Sequence, residues 1–380
     1  MGKAAVAPAA KDLVSQHLAQ QEFAPNLVGL MQLAKRETGK SELAQAKELM
    51  RLRRGIGHLA VDEYFMYRLY DDRLYSDETR DAFLSEKLHW PICAKCADPQ
   101  WRATTEDKWL AYLLLAQFGQ RVPRTLAVVD GSQRSFATTP KLSSAADLAG
   151  FLATAPLPIF AKPNAELGSF GAILIKRFEG GRITIDEDRS FTPEEMMRDI
   201  FGARTYLLQE VVRNHPDIAR LSDYVATVRT MNLVWPDRIE TPFTLVKIPV
   251  GDNIADNYWR KGNLIADVDP ETGIIRRAVS GKGAELKLHE THPLTGAPLV
   301  GMQLPFWREL RAANEACARA YAPVRYQSLD IALTPEGPAI IEINSGGSFM
   351  LAQIASGRGF LTPSVRKFFE ASGWDFKKRR

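Results

Sequence analysis

The stretch at 335–348, PEGPAIIEINSGGS, sets one glutamate, Glu342, among three isoleucines and an alanine, just before a Gly-Gly loop. A carboxylate in such a strand is costly to bury unless a cation or donor meets it. Whatever fold the chain takes must therefore bring a partner to this residue. Thr334-Pro335-Glu336-Gly337-Pro338 suits a three-residue hairpin loop, with Pro at the first central position of a type I turn and Gly as the left-handed residue after it. That loop predicts Thr334 opposite Pro338 and, four residues out on each side, Asp330 opposite Glu342. Side chains alternate along a strand, so Asn344 shares the face of Glu342. A two-residue loop would shift this register and separate the carboxylates.

Two carboxylates and an amide oxygen are hard donors of the kind Mg²⁺ takes while keeping positions for water and phosphate. Two ions about 3.5–4 Å apart could share them. The competing reading pairs Asp330 and Glu342 each with an arginine; three donors in register favour the metal. Upstream, Lys162 ends the apolar strand PIFAKP. A lysine there either snorkels at an edge or is held for an anion. The following NAELGSFG supplies Gly168, Ser169 and Gly171, whose backbone N–H groups can cradle phosphate. TYLLQEVV, with Gln209 and Glu210, reads as a buried strand whose end either offers its backbone to a purine edge or is plain core.

A chain of 380 residues has room for two domains, or one large domain with subdomains. Its 49 basic and 45 acidic side chains leave a net charge of +4, too balanced to argue for a nucleic-acid partner. No apolar run reaches the roughly 18 residues of a membrane span, and MGKAAVAPAAKDLVSQ lacks the apolar stretch of a secretory signal. Three cysteines make no disulfide framework, so a reducing cytoplasm is expected.

Residues 1–103 read as a helical region. Leu27, Leu30, Met31 and Leu33, then Leu43, Ala46, Leu49 and Met50, recur at helical spacing, and VDEYFMYRLYDDRLY adds an aromatic stripe expected to pack as a helix on the rest of the protein. A linking segment, 104–157, begins with the helix DKWLAYLLLAQF, capped by Thr104 or Thr105 and ended by Gly119 and Pro123. From Pro158 strands dominate: PIFAKP, GAILIKRF and RITID, the last two joined by Gly180-Gly181, then TYLLQEVV, YVATVRTMNLVW and IETPFTLVKI. A long helix spans about 305–321 before the last hairpin. The pattern is α+β rather than strict βαβ alternation, with a basic tail at 373–380.

In this order the lysine strand, the glycine loop, LLQEVV, ATVRTMNLV and SLDIAL…AIIEINSGGS resemble an ATP-grasp enzyme. More narrowly, the chain resembles the sugar-transfer-associated ATP-grasp family found among bacterial surface-polysaccharide genes, from DEYFMYRLY through HPLTG to the C-terminal helices. The resemblance implies an ATP-grasp fold, two α+β subdomains at 158–212 and 213–372 clamping ATP, with a helical N-terminal region. It implies that Lys108 of EDKW and Lys162 bind ATP phosphates under a flap at 166–171 that includes Glu166, Gly168, Ser169 and Gly171. Glu210 and Val212, beside Gln209, would meet adenine, and Asp330, Glu342 and Asn344 would hold Mg²⁺ as two ions. Arg229 would face the γ-phosphate or an acyl-phosphate, with Lys162 and Asn263 completing the catalytic set.

The implied activity is ligation of a small-molecule carboxylate to an amine through an acyl-phosphate, in cell-surface polysaccharide or natural-product biosynthesis. A small-molecule or sugar kinase on the same scaffold and a non-catalytic nucleotide- or partner-binding module stay open, as do the acid, the amine and the oligomeric state. Other motifs carry less. TGKS at 38–41 has Ala34 where a phosphate-binding loop needs its first glycine, Cys93-x-x-Cys96 has no second pair for zinc, and HETH at 289–292 lacks protease spacing. His215, at a helix start, reads as structural.

Overall fold

The computed structural model describes residues 26–166, 171–185 and 189–376. Gly168 and Ser169 of the flap and residues 377–380 of the basic tail lie outside that set. The lysine strand builds the first sheet. β1 (Thr125–Val129), β2 (Lys141–Leu142), β3 (Ile159–Pro163), β4 (Ile173–Ile175) and β8 (Tyr206–Glu210) lie in the order β2-β1-β8-β3-β4. Ile159, Ala161, Ile173, Ile175 and Leu208 form its core, together with Leu148 and Leu152 of the Ala145–Leu152 helix. The run GAILIKRF divides at Lys176. β4 stays in this sheet, while β5 (Arg177–Glu179) turns away to pair with β6 (Arg182–Thr184), which pairs with β7 (Ser190–Phe191). The β5–β6 turn needs left-handed backbone at both central residues, and Gly180 and Gly181 supply it at φ 56° and 73°.

The second sheet contains β9 (Thr227–Val234), β10 (Ile239–Ile248), β11 (Leu264–Val268), β12 (Ile275–Ser280), β13 (Lys287–Leu288), β14 (Tyr326–Thr334) and β15 (Gly337–Ser345). Its order is β13-β12-β11-β10-β9-β14-β15. Strand alternation sorts its residues cleanly. Val228, Val246, Ala266, Leu329, Ile331 and Ile343 pack with Leu310 and Cys317 of the Trp307–Ala320 helix. Met231, Leu233, Phe243, Leu245 and Ile265 pack on the other face, with Tyr64, Phe65, Phe83 and Ile92 from the N-terminal region and Phe349 and Phe368 from the C-terminal helices. Each buried Val, Leu, Ile, Phe or Met among them contributes about 1.5–3 kcal/mol relative to exposure. The helical N-terminal region therefore shares a core with the second sheet.

Two helix expectations change. The aromatic stripe is buried as expected, but its helix is only Val61–Met66 and the chain turns at Arg68, φ 57°. Thr104 and Thr105 belong to the end of the Pro99–Glu106 helix, which Asp98 and Pro99 start before them. The cap of the Lys108–Gln117 helix is Asp107, whose carboxylate accepts the Leu110 N–H at 3.0 Å. Among the described residues no helix is long and apolar enough to cross a membrane.

Candidate active site

The hairpin closes on two residues rather than three: Thr334 pairs with Gly337. The Thr334 hydroxyl secures this tighter turn, donating to the Gly337 carbonyl at 2.7 Å and accepting the Glu336 N–H at 3.2 Å. Gly337, at φ 111°, takes a conformation other residues rarely adopt. Carried outward unbroken, this register would set Asp330 opposite Ile341. A bulge intervenes, so that Ile331 pairs with Ile340 but Asp330 pairs with Glu342. The expected facing pair forms by a different route. Ile341 is the extra residue, and its carbonyl accepts the Tyr112 hydroxyl at 2.6 Å and lies 3.5 Å from Lys162 Nζ.

From this pair a row of charges crosses the sheet. Arg229 on β9 stands opposite Asp330, and Asp330 opposite Glu342. The Arg229 guanidinium forks onto Asp330, Nε to Oδ1 at 2.8 Å and Nη2 to Oδ2 at 2.6 Å. On β10, Lys247 reaches Asp330 at 3.1 Å and Asp256 at 2.9 Å. Burial alone would raise the Asp330 carboxyl, but Arg229 and then Lys247 outweigh it and hold the group well below the usual carboxylate range. The arginine pairing weighed against a metal is thus present at Asp330. The partner of Glu342 is Lys108, at 3.1 Å.

The first sheet presents two lysines to this row. Lys162 is buried, with Nζ 2.6 Å from the Tyr112 hydroxyl. Burial draws its pKa down to about 8, against partial compensation from Glu342, Asp256 and Asp330. Lys108 is the first residue of its helix, and that helix start is docked on the end of β3. Asn164 accepts the Lys108 N–H at 3.2 Å through its carbonyl and the Trp109 N–H at 2.9 Å through Oδ1. Lys108 Nζ donates to the Glu166 carbonyl at 2.6 Å.

These groups line one cavity of about 730 Å³. Lys108, Lys162, Glu166, Gln209, Glu210, Val212, Arg229, Asp330, Glu342 and Asn344 are brought together in its wall. Phe160, Leu174 and Pro123 flank the Gln209–Val212 end, giving it an apolar character suited to a flat base. Gln209 is held there by its Nε2, which donates to Thr125 Oγ1 at 3.1 Å, while the Glu210 carboxylate turns to Arg124 at 2.9 Å. Gly171 sits at φ 73°, and a Cβ there would come within 2.8 Å of the Tyr206 hydroxyl.

Among the described residues Asn263 is not part of the lining. Its amide accepts the Val250 N–H at 2.9 Å and the Asn253 amide at 2.8 Å, and donates to the Ala255 and Asn257 carbonyls at 3.0 and 2.8 Å. Asn263 thus positions the loop whose residues 254–259 wall the cavity, and all of its amide's bonds are spent on that loop and on Val250.

Could the hairpin hold a cation? Among the described residues no cluster of three His, Cys, Asp or Glu forms, so the donor set is two carboxylates and the Asn344 amide. Asn344 Nδ2 is buried without a partner, so the amide is uncommitted on that side and can turn its oxygen inward. This set fits Mg²⁺ if the cations on Asp330 and Glu342 can move to phosphate.

Several lining residues escaped the sequence reading. Lys247 carries the same signal as Lys162, a lysine inside an apolar strand (LVKI). Asp256 carries none, and neither does Tyr112, which is outside the lining and meets it through the Ile341 carbonyl. Glu86 and His89 come from the N-terminal region. Burial pushes Glu86 up to about 7, although it accepts the Met350 N–H at 2.9 Å, and draws His89 down to about 4. Gly346 has a packing role: a Cβ there would lie 2.3 Å from Cys93 Sγ.

A protein-family model described as sugar-transfer associated ATP-grasp matches residues 94–368. The chain belongs to this ATP-grasp family. Its fold is accordingly the ATP-grasp fold, the cavity lying between the first and second sheets, and residues before 94 add the helical region that shares the second sheet's core. No curated protein matches the chain. Among solved structures it is similar to D-alanine–D-alanine ligase from Helicobacter pylori, at 10% identity and TM-score 0.39, over 71% of this chain and 60% of that one. It is also similar to phosphoribosylamine–glycine ligase from Thermotoga maritima, at 10% identity and TM-score 0.42, over 72% and 56%. Biotin carboxylase from Campylobacter jejuni matches at 11% identity and TM-score 0.41, over 75% and 51%. The chain spans less than two thirds of the length of each.

Proposed function

We propose that the chain is an ATP-dependent carboxylate–amine ligase working through an acyl-phosphate, acting in the cytoplasm on small molecules of cell-surface polysaccharide or natural-product biosynthesis. The observation that carries this is convergence: two lysines from the first-sheet side and a row of oxygen donors from the second meet in one cavity. Glu210 and Val212 would meet the adenine, and Lys108 and Lys162 the phosphates. Asp330, Glu342 and Asn344 would hold Mg²⁺, which when bound supplies charge neutralisation along the triphosphate.

In the proposed first step a substrate carboxylate oxygen attacks the γ-phosphorus, and the bond to the bridging oxygen breaks to release ADP. The amine nitrogen then attacks the acyl carbon, the carbon–oxygen bond to the phosphoryl group breaks so that phosphate leaves with the carboxylate oxygen that had attacked phosphorus, and the amine loses a proton. Lys162 serves the first step by standing in a buried, water-poor setting where its charge acts strongly on the transferring group. Tyr112 and the Ile341 carbonyl fix where that ammonium sits.

The test is a thermal melt with and without Mg-ATP for wild type, Lys162→Ala and Glu342→Ala. Ligand at about 100 times its Kd adds roughly 2.7 kcal/mol to the native state. A wild-type shift that shrinks in both variants supports the reading, and its absence from folded wild type removes it. Oxygen-18 passing from a carboxylate into released phosphate then separates ligase from kinase chemistry, because a kinase leaves its phosphate on a product hydroxyl.

A further inference from the structure

Lys247 is an ionic group of the cavity that the proposed ligation chemistry leaves without a task. Its side chain is 6% exposed, and its ammonium lies between Asp256 at 2.9 Å and Asp330 at 3.1 Å. Asp330 already has both oxygens taken by the Arg229 fork. A carboxylate so paired needs no second cation, and a buried ammonium is expensive unless its charge is used. Asp256 is the firmer anchor, because it also accepts the Thr227 hydroxyl and belongs to the loop that Asn263 fixes. Thr227 faces Lys247 across β9 and β10. The lysine can therefore pivot on Asp256 while its contact with Asp330 is exchanged.

We propose that Lys247 is the resident counter-ion of the metal patch. Without nucleotide it neutralises Asp330; when a divalent cation and ATP enter, it gives up Asp330 and takes the terminal phosphate. The inference rests on the nucleotide reading above and adds a phosphate-positioning residue to it. The physical reason is repulsion: a divalent cation on Asp330 and an ammonium 3.1 Å from the same carboxylate strongly disfavour each other at this depth. The incoming triphosphate offers the displaced ammonium an anionic oxygen in the same cavity. Metal alone must move the lysine off Asp330 with only Asp256 left to hold it, whereas metal with ATP supplies a second anionic partner.

The experiment compares wild type with Lys247→Met, which keeps the length and removes the charge. Mn²⁺ binding without nucleotide is read by electron paramagnetic resonance of the free ion, and Mg-ATP binding by calorimetry. The expected result is opposite in sign for the two ligands. Mn²⁺ alone binds at least about 10-fold tighter in K247M, because its competitor is gone, and Mg-ATP binds at least about 10-fold weaker. A lysine that only braces the fold would weaken both together, and that outcome, or no change in either, overturns the proposal. Should K247M fail to fold, Asp256→Asn provides the second arm. It leaves Lys247 to Asp330 alone, so Mn²⁺ binding should weaken several-fold, and tighter binding would overturn the idea. Wild type that binds Mn²⁺ but never Mg-ATP would sink the nucleotide reading, while the Mn²⁺ arm still decides the counter-ion.

Discussion

Deleting Ile341 should leave a folded protein that has lost its grip on ATP. In β15, Ile340 and Ile343 belong to the core while Ile341 and Glu342 both line the cavity. Removing Ile341 leaves Ile340, Glu342, Ile343 and Asn344 alternating between core and cavity, with the two-residue turn untouched and Asp330 still opposite Glu342. The direct loss is the Tyr112 hydroxyl's bond to the Ile341 carbonyl at 2.6 Å, a net of about 0.5–1.5 kcal/mol. Part of that returns as an uninterrupted ladder. Urea unfolding should therefore show a change within about 1 kcal/mol. Lys162, however, loses the carbonyl 3.5 Å from its ammonium and the fixed position of Tyr112. A misplaced charge-assisted phosphate contact is worth about 1.5–3 kcal/mol, so calorimetry should find Mg-ATP binding weakened roughly 10- to 150-fold. A folded deletion variant that binds Mg-ATP within about two-fold of wild type would refute the claim that the bulge sets Lys162. A chain that no longer folds would refute the account of the register.

Two further outcomes follow from buried charge. Lys162 is drawn below its ordinary 10.5 to about 8, so an unfolded chain binds more protons there between these values and the folded state gains stability as pH rises through them. Lys162→Met should accordingly raise the melting temperature at pH 7 and lose that advantage toward pH 10.5, and wild-type Mg-ATP binding near pH 9 should take up protons, seen as a buffer-dependent enthalpy absent from the variant. Glu86, raised from 4.5 to about 7 and facing Glu63, Tyr67, Cys93 and Tyr326, carries an unfavourable charge only above that range. Glu86→Gln keeps an acceptor for the Met350 N–H and should stabilise the protein above pH 7, the gain closing as pH falls to 4.5; a gain that persists in acid would contradict the burial argument.

The parts of the fold that are legible in the sequence are those written as local period and punctuation. Alternation in β9, β10 and β14, the paired glycines at 180 and 181 and the apolar lysine strand all express themselves within a few residues. The hairpin was legible in outcome but not in cause, because Thr334's side-chain bonds choose the shorter loop and the compensating bulge has no composition of its own. Asn263 enters the site set through the family resemblance alone, and the use of its amide depends on where the 250–257 loop runs. Tyr112 and Asp256 were silent for the same reason: a tyrosine on a helix and an aspartate in a loop become site residues only through partners 229 and 9 positions away, at Ile341 and Lys247.

The arrangement of charge explains how such a site stays folded before any ligand arrives. Among the described residues at its centre, Lys108, Lys162, Arg229 and Lys247 face Glu342, Asp256 and Asp330, so nearly every buried charge has an opposite within the same wall. Lys162 is the exception. It is held by a hydroxyl and a carbonyl instead of a carboxylate, and it is the lysine whose pKa burial lowers. A cation left with neutral partners in a low-dielectric cavity is the one most strengthened by an arriving phosphate, since that phosphate restores the charge burial disfavours. The others must first be released from carboxylates, which a divalent cation can do by taking those carboxylates itself. On the proposed reading phosphate and metal would complete each other's sites: neither alone would relieve both the underpaired lysine and the crowded aspartate, and the pair arriving together would.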